Sequence, residues 1–514
     1  MKLFPTAARS AAEAACIGLL AGLIGLISAA AAAGAQDATE TLQYHLATVT
    51  APAQELPEGK RAPAGWGVQA LPKEAGQALE LHWNETEAEA VAPDETARLR
   101  VTIGVDLRDT VRVDASIIGG DSLGELRIGY ASAHQLFELV LSAEEARAAL
   151  EHGVALRQAE GEAQLFLMDG TSEESSPPAP ALQTPHLLTG QSADPAAALQ
   201  ERLASLDTLQ PFGWMEQCMI DGLADLGHDD AVRERLAMYV GPEGSLEYEN
   251  PRSEPVSGRV YGIEGSGMFA RIATHMPDNP ALTIVRDFWE DRRDEEGCVI
   301  DGNTTSAEGC YTVAYPMAVL AARGDAPELA DEAVQQLLLR RDRLVHENAL
   351  WLRHHAQDPP DRSFRNWARA SAWYLLGWVR VMRELDDHEA LPALEEELRR
   401  AADWVMARQR SDGLWAVYVD EPDLAADTAG AAGIAAALAI GHAEGWLDDR
   451  ARESADRAYE ALLNHLTPDG LLAGGSQSNK GGEALQRSEY RVILMPATGL
   501  MAQLIAAREE GSGE

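Results

Sequence analysis

Lysine is almost missing from this chain. Only Lys2, Lys60, Lys73 and Lys480 occur, so nearly all of the 42 basic side chains are arginine, set against 82 aspartates and glutamates. The formal net charge is −40. Such a field repels nucleic acid and anionic membranes, which removes both from the expected partners. Cysteine is scarce as well, with Cys16, Cys218, Cys298 and Cys310. That is too few sulfurs for a disulfide-dense scaffold in 514 residues. No CxxC pair, HExxH or other compact metal signature occurs, so no metal is expected. Aromatic residues make up 6% of the chain, and beyond the N-terminal segment no apolar run is long enough to span a bilayer. What is abundant is aliphatic: 46% of residues are apolar, enough for a sizeable core of largely helical class.

The N-terminus has the layout of an export signal. Met1, Lys2 and Arg9 form a short basic region, residues 14–30 are apolar, and Ala33-Gly34-Ala35 offers small residues for cleavage. Residues 1–35 therefore read as a signal peptide, and the chain as periplasmic or extracellular. An uncleaved membrane anchor is the alternative reading of the same run. Export would permit a loop disulfide between Cys298 and Cys310, with two unpaired thiols as the equal alternative.

Residues 36–75 are polar and rich in Ala, Pro and Gly, which predicts a poorly ordered leader. Over 76–170 the pattern becomes alternating. The segments 79–83, 97–105, 110–118, 124–130, 135–141 and 162–168 read as short strands, with one helix over 143–153. This predicts a small all-β, sandwich-like domain that either binds a glycan or braces its neighbour. Residues 171–195 are rich in Ser, Pro, Thr and Gly and read as a linker. From 196 to 510 the apolar spacing is close to 3.6, and about twelve helices fit. Acidic-glycine turns recur at 242–247, 296–301, 411–416 and 467–472, with a weaker copy at 346–351, roughly every 50–65 residues. A helical hairpin cannot bury both faces alone, so six such hairpins predict a closed (α/α)6 toroid with the turns gathered on one rim.

Rim turns that are acidic and carry tryptophan suit sugars, which need aromatic faces to stack on, carboxylates to move protons and Arg to hold acid groups. The richest stretch is Trp351-Leu352-Arg353-His354-His355-Ala356-Gln357-Asp358, followed by Asn366-Trp367-Ala368-Arg369-Ala370-Ser371-Ala372-Trp373. Trp367 and Trp373 are six apart and cannot share one helical face, so one of them belongs to the core. His354 and His355 alternate in an extended segment and point opposite ways, which argues against a metal pair.

These stretches resemble the "HGWDE … WGRGNGW" region of glycoside hydrolase families 88 and 105, the unsaturated glucuronyl and rhamnogalacturonyl hydrolases. Gln409 to Trp415 resembles the families' "Q…DGLW", Asp427 to Ala432 their "ETSGTA", and Glu489-Tyr490-Arg491 with Pro496 to Leu500 their closing motif. The resemblance covers about 194–510. It implies a glycoside hydrolase of the (α/α)6 kind that removes the 4,5-unsaturated uronic acid left by polysaccharide lyases at a non-reducing end. An acid would protonate C4 and help deliver water to C5, with no cofactor.

By that resemblance Glu308, in Glu308-Gly309-Cys310-Tyr311, takes the place of the families' catalytic Asp if one extra residue precedes Pro316; without that gap Gly309 takes it and the carboxylate is missing. Glu264 takes the place of a second Asp, with Asp301 in reserve. Glu264 could instead cap its helix, and Glu308 could be a solvated loop residue. His354, Asp358, Trp367, Arg369, Trp373, Trp415, Tyr490 and Arg491 are the implied contacts to a uronic acid-containing oligosaccharide. Ser371 stands where the families have Asn, and no His precedes the final Gly motif. Another uronic-polysaccharide enzyme, a β-glucuronidase or a lyase using Tyr490 with Arg491, is the rival reading. A glycan-binding protein without catalysis is the other.

Overall fold

The computed structural model describes residues 42–511 apart from 53, 85–90, 92–95, 175 and 324–325. The expected signal segment lies outside the described residues. Among the described residues no helix is long and apolar enough to cross a membrane.

The N-terminal part contains two main antiparallel sheets. One has the order Thr48–Thr50, Leu79–His82, Val154–Glu160, Thr110–Ile117, Ser122–Gly129. The other runs Gln43–Leu46, His186–Thr189, Ala97–Thr102, Leu136–Leu141. Along Thr110–Ile117 every second residue is buried, Val111, Val113, Ala115 and Ile117, which is why the alternation was legible. Helix Ala143–His152 starts with a capping box between Ser142 and Glu145.

Two expectations fail in this region. The stretch 36–75, expected to be an unstructured leader, supplies strands Gln43–Leu46, Thr48–Thr50 and Trp66–Ala70 within its described part. The stretch 171–195, expected to be a linker, contributes His186–Thr189, an interior strand with all four residues buried. Strands of three to five residues carry too little alternation to stand out against Pro and Ser. They form because their neighbours offer open ladder edges.

The rest is a ring of helices. Among the described residues, six form an inner layer: Trp214–Asp225; Ile263–Ser266 with Phe269–His275; Cys310–Ala314 running into Tyr315–Arg323; Ala368–Glu384; Thr428–Ala443; and Met495–Glu510. Their intervening partners, such as Leu391–Met406, are amphipathic and lie outside, whereas Thr428–Ala443 is buried from 428 to 441. The ring closes where Gly222 and Gly499 bring the first and last inner helices backbone to backbone. A Cβ at 222 would sit 2.5 Å from Gly499 O, and one at 499 would sit 2.3 Å from Cys218 O.

The repeated turns share one geometry. Gly241, Asp294, Arg410 and Thr467 each donate N–H to the carbonyl four residues on, that of Ser245, Cys298, Leu414 and Leu471, at 2.8–3.0 Å. Each holds a left-handed glycine: Gly244, Gly297, Gly413 and Gly470, with φ between 78° and 88°. In the weaker copy Glu347 and Asn348 take φ of 51° and 62°, making a two-residue hairpin between Val345–His346 and Ala349–His355. All five turns follow outer helices and lie on the rim from which the chain enters the inner ones.

Candidate active site

At this rim lies a cavity of about 680 Å³. Its lining includes Glu264, Asp301 and Glu308 together with Trp214, Tyr261, Arg353, Trp367, Arg369 and Trp373. All three acids singled out from the sequence therefore face one space. The inner helices aim their N-termini at this rim, so their dipoles favour negative charge there.

Glu308 stands in the short helical stretch that leads into the turn Cys310–Ala314, whose hydrogen bonds span five residues instead of four. Such turns offset the residues beside them and recur at functional sites. Ser306 Oγ donates to Glu308 Oε2 at 3.3 Å, and Thr312 Oγ1 donates to the Glu308 carbonyl at 3.1 Å. Gly309 permits this bend, because a Cβ there would lie 2.2 Å from Arg340 Nε. Arg340 cannot yield easily: it is fully buried and donates to Val299 O and Gln336 Oε1, both at 2.6 Å.

Glu264 sits in the first turn of Ile263–Ser266, where Tyr261 Oη donates to its Oε2 at 3.4 Å. Asp301 Oδ2 accepts from the backbone N–H of Ile263 at 3.2 Å, and its Oδ1 accepts from Arg292 at 3.4 Å. The helix carrying Glu264 is thus held by Asp301, so Glu264 does not act as its own cap.

Burial pushes the Glu264 carboxyl up to about 8; the charge of Glu308 adds to this and Arg353 opposes it. Glu308 is raised in the same way, by burial first, again against Arg353. Asp301 is also raised by burial. Two like carboxyls lining one cavity resist being charged together, and the charge of Glu308 helps to keep Glu264 protonated.

Arg353 was not singled out in the sequence. It lies on strand Ala349–His355, with Ser306 as its cross-strand partner, and forms no ion pair among the described residues. Its guanidinium lies over the Phe364 ring at 6.0 Å, and an arginine without a carboxylate partner beside this cavity can take the acid group of a ligand. The sequence signal was present, since Arg353 and His354 are neighbours on one strand and so face opposite sides. Alternation alone does not say which of the two faces the pocket. Tyr261 and Trp214 were likewise passed over, as isolated aromatics next to helix starts.

The remaining candidates divide. Trp367 and Trp373 both line the cavity although each is almost fully buried. Trp367 Nε1 donates to Gln486 Oε1 at 3.2 Å, and the Arg369 guanidinium lies over its ring at 4.3 Å. Trp373 stacks on Tyr311 at 5.8 Å and meets Trp214 edge-on at 5.5 Å. Arg369 donates to Ser476 Oγ and Gln477 O and lies 3.5 Å from Asp427 Oδ2.

His354, Asp358, Trp415, Tyr490 and Arg491 are not among the cavity's lining residues. Asp358 lies in an exposed loop. Trp415 is core, its Nε1 donating to Val405 O at 2.8 Å. Tyr490 Oη donates to Arg127 O and accepts from Gly129 N, both at 3.0 Å, tying the rim to strand Ser122–Gly129 of the N-terminal sheets. Arg491 donates to the carbonyls of Ala426, Ser488, Tyr490 and Ala425. With both engaged this way, Tyr490 and Arg491 are not placed to serve as a lyase pair. Cys298 and Cys310 are free, buried thiols, the second of the two alternatives the sequence left open; Arg340 packs its guanidinium against Cys298 Sγ at 3.5 Å.

Residues 307–498 match the sequence model of Glycosyl Hydrolase Family 88. The unsaturated 3S-rhamnoglycuronyl hydrolase of Alteromonas sp. (strain LOR) is 25% identical over 147 residues, which is 28% of this chain. The match spans 34% of that relative's length. Among solved structures, a family 105 glycoside hydrolase from C. acetobutylicum ATCC 824 superposes with a TM-score of 0.53 at 19% identity. It covers 62% of this chain and 99% of its own. A possible family 105 member from Salmonella enterica serovar Paratyphi A gives 0.51 at 16% identity, covering 62% and 92%. The resemblance read from the motifs thus holds in sequence over 307–498, where the chain is similar to glycoside hydrolase family 88, and in fold over 62% of the chain, which is similar to a family 105 structure.

Proposed function

We propose that the protein is a glycoside hydrolase that removes a 4,5-unsaturated uronic acid from the non-reducing end of lyase-generated oligosaccharides. The observation that carries this reading is the pair Glu264 and Glu308, buried in one cavity, raised by that burial and faced by the unpaired Arg353. The chemistry needs a carboxyl that is still protonated near neutral pH and a cation for the uronate. Glu308 gives its proton to C4 of the vinyl ether. Water adds at C5 and returns a proton to Glu308. The hemiketal opens by breaking the C5–O5 bond, and the exposed C1 hemiacetal then releases the next sugar with its own oxygen. The charge Glu308 acquires raises Glu264, so the pair resists carrying two negative charges at once. Trp367 and Trp373 offer faces for the ring.

The match to family 88 and the activity named for the Alteromonas relative support this assignment. The N-terminal segment supports export, to the periplasm or beyond the cell. The two N-terminal sheets fit a sandwich-like domain that braces the ring through Tyr490.

The test is product analysis on lyase digests of several uronic polysaccharides beside the undigested polymers. A free keto-deoxy uronic acid with the shortened oligosaccharide, from digests alone, is the expected result. Release of saturated uronic acid from intact polymer would favour a β-glucuronidase instead.

A further inference from the structure

The cavity is not built by the helical ring alone. Arg108 and Ser132, both from the N-terminal β domain, stand in its lining beside Arg252 and Arg259 of the segment that follows the first rim turn. Arg252 lies in the turn of the hairpin Glu247–Glu249 with Pro255–Ser257, and Arg259 lies two residues beyond its second strand. The β domain straps the hairpin in place: Ser253 Oγ accepts from Asp106 N at 2.8 Å, and Ser253 O accepts from Arg61 N at 2.9 Å. Arg108 Nε donates to Asp106 Oδ2 at 2.7 Å and Nη2 to Pro251 O at 3.4 Å. Two of the four lysines, Lys60 and Lys480, stand at this seam. Lys480 donates to Asp106 Oδ1 and, at 3.1 Å, to Pro251 O, while Lys60 stands 3.7 Å from Glu254.

The charges at the seam do not cancel. Asp106 is shared by Lys480 and Arg108, and Glu254 has Lys60. Arg252 and Arg259 are exposed and have no ion-pair partner among the described residues. In a chain of net charge −40, a wall with surplus arginine around the mouth of one cavity runs against the global field. The C. acetobutylicum enzyme is almost wholly matched by 62% of this chain, so the remainder has no counterpart there.

We infer that the β domain forms part of the substrate site: Arg108, with Arg252 on the hairpin it straps and Arg259 just beyond that hairpin, receives an anionic group on the sugar that follows the unsaturated residue. The group is a sulfate ester or a carboxylate, since planar guanidinium forks suit both. This rests on the proposed reaction for the order of the sugars, but not for the binding itself.

Calorimetric titration of the full chain, made unreactive by Glu308→Gln, separates the two. The ligands are three unsaturated disaccharides that differ only in the second sugar: neutral, sulfated or carboxylated. The expected result is about tenfold tighter binding of at least one anionic ligand, weakening with salt. The two anionic arms tell sulfate from carboxylate. The preference should vanish in Arg108→Gln/Arg252→Gln/Arg259→Gln and persist in Arg286→Gln, an exposed arginine paired with Glu328 elsewhere on the ring. Melting curves confirm that the triple variant is folded. Equal affinity for all three ligands would overturn the inference, as would a preference that survives the triple substitution. If wild-type enzyme consumes none of the ligands yet shows the arginine-dependent preference, the reaction is wrong and the cationic wall stands.

Discussion

Arg353 and Ser306 face each other across the ladder formed by Thr304–Ser306 and Ala349–His355, and the Ser306 hydroxyl reaches Glu308 at 3.3 Å. One pair of strands therefore presents the acid and the cation together. Arg353→Gln should lose roughly 10- to 100-fold in kcat/KM, the range of one charge-assisted hydrogen bond of about 1.5–3 kcal/mol. Because Arg353 holds both carboxyls down, its removal raises them further, and the basic limb of the pH–rate profile should move to higher pH. A loss of rate with an unmoved basic limb would show that Arg353 is not coupled to the acid.

Glu264 makes a prediction about stability. Its carboxyl is raised in the folded chain, so its contribution is fully present below the ordinary carboxylate range and is lost as pH rises toward about 8. Glu264→Gln should melt like the parent at acid pH and progressively higher than the parent as pH approaches 8. It should also be slower in turnover, as expected where a site holds a destabilising charge for function. Thermal melts across pH check the first and steady-state rates the second.

Asp469 carries the opposite sign. It is buried, and the two nitrogens of Arg100 meet its carboxylate at 2.7 and 3.0 Å, which holds it well below the usual carboxylate range. The contribution is present above the unfolded value and falls away at more acid pH. Asp469→Ala leaves the buried Arg100 with Glu138 alone, 3.0 Å from its Nε, and should cost about 1–3 kcal/mol, read as a lower denaturation midpoint. Removal of Asp469 with no change in midpoint would mean that the β domain is not held to the ring through this pair.

Gly309→Ala should reduce both stability and turnover, because the added methyl meets the immobile Arg340 and shifts the turn that places Glu308. A crystal structure of the variant should show that shift. The free state of Cys298 and Cys310 gives a simpler check: reductant should leave the melting temperature unchanged.

The ring was legible because its signals are repetitive. Helical periodicity and the turn glycines Gly244, Gly297, Gly413 and Gly470 recur through the chain, and each copy reports the same physical need. Glu264, Asp301 and Glu308 were reached through motif order, and they share a cavity. Tyr490 and Trp415 misled because motif position shows where a residue lies on the rim and not which way it points. Arg108 and Ser132 left no signal, since their place in the cavity depends on how the β domain packs against the hairpin at 247–257. That packing is long-range and has no pattern in sequence.

The central claim is that Glu308 protonates an unsaturated uronide. The direct measurement is the ultraviolet absorbance of the C4–C5 double bond in lyase-generated oligosaccharides, followed with the parent protein and with Glu308→Gln. The account predicts that absorbance falls with the parent on at least one substrate and that the variant is slower by about 10²- to 10⁴-fold while still binding it. Absorbance that holds constant with the parent on every substrate, or falls equally fast with Glu308→Gln, would contradict it.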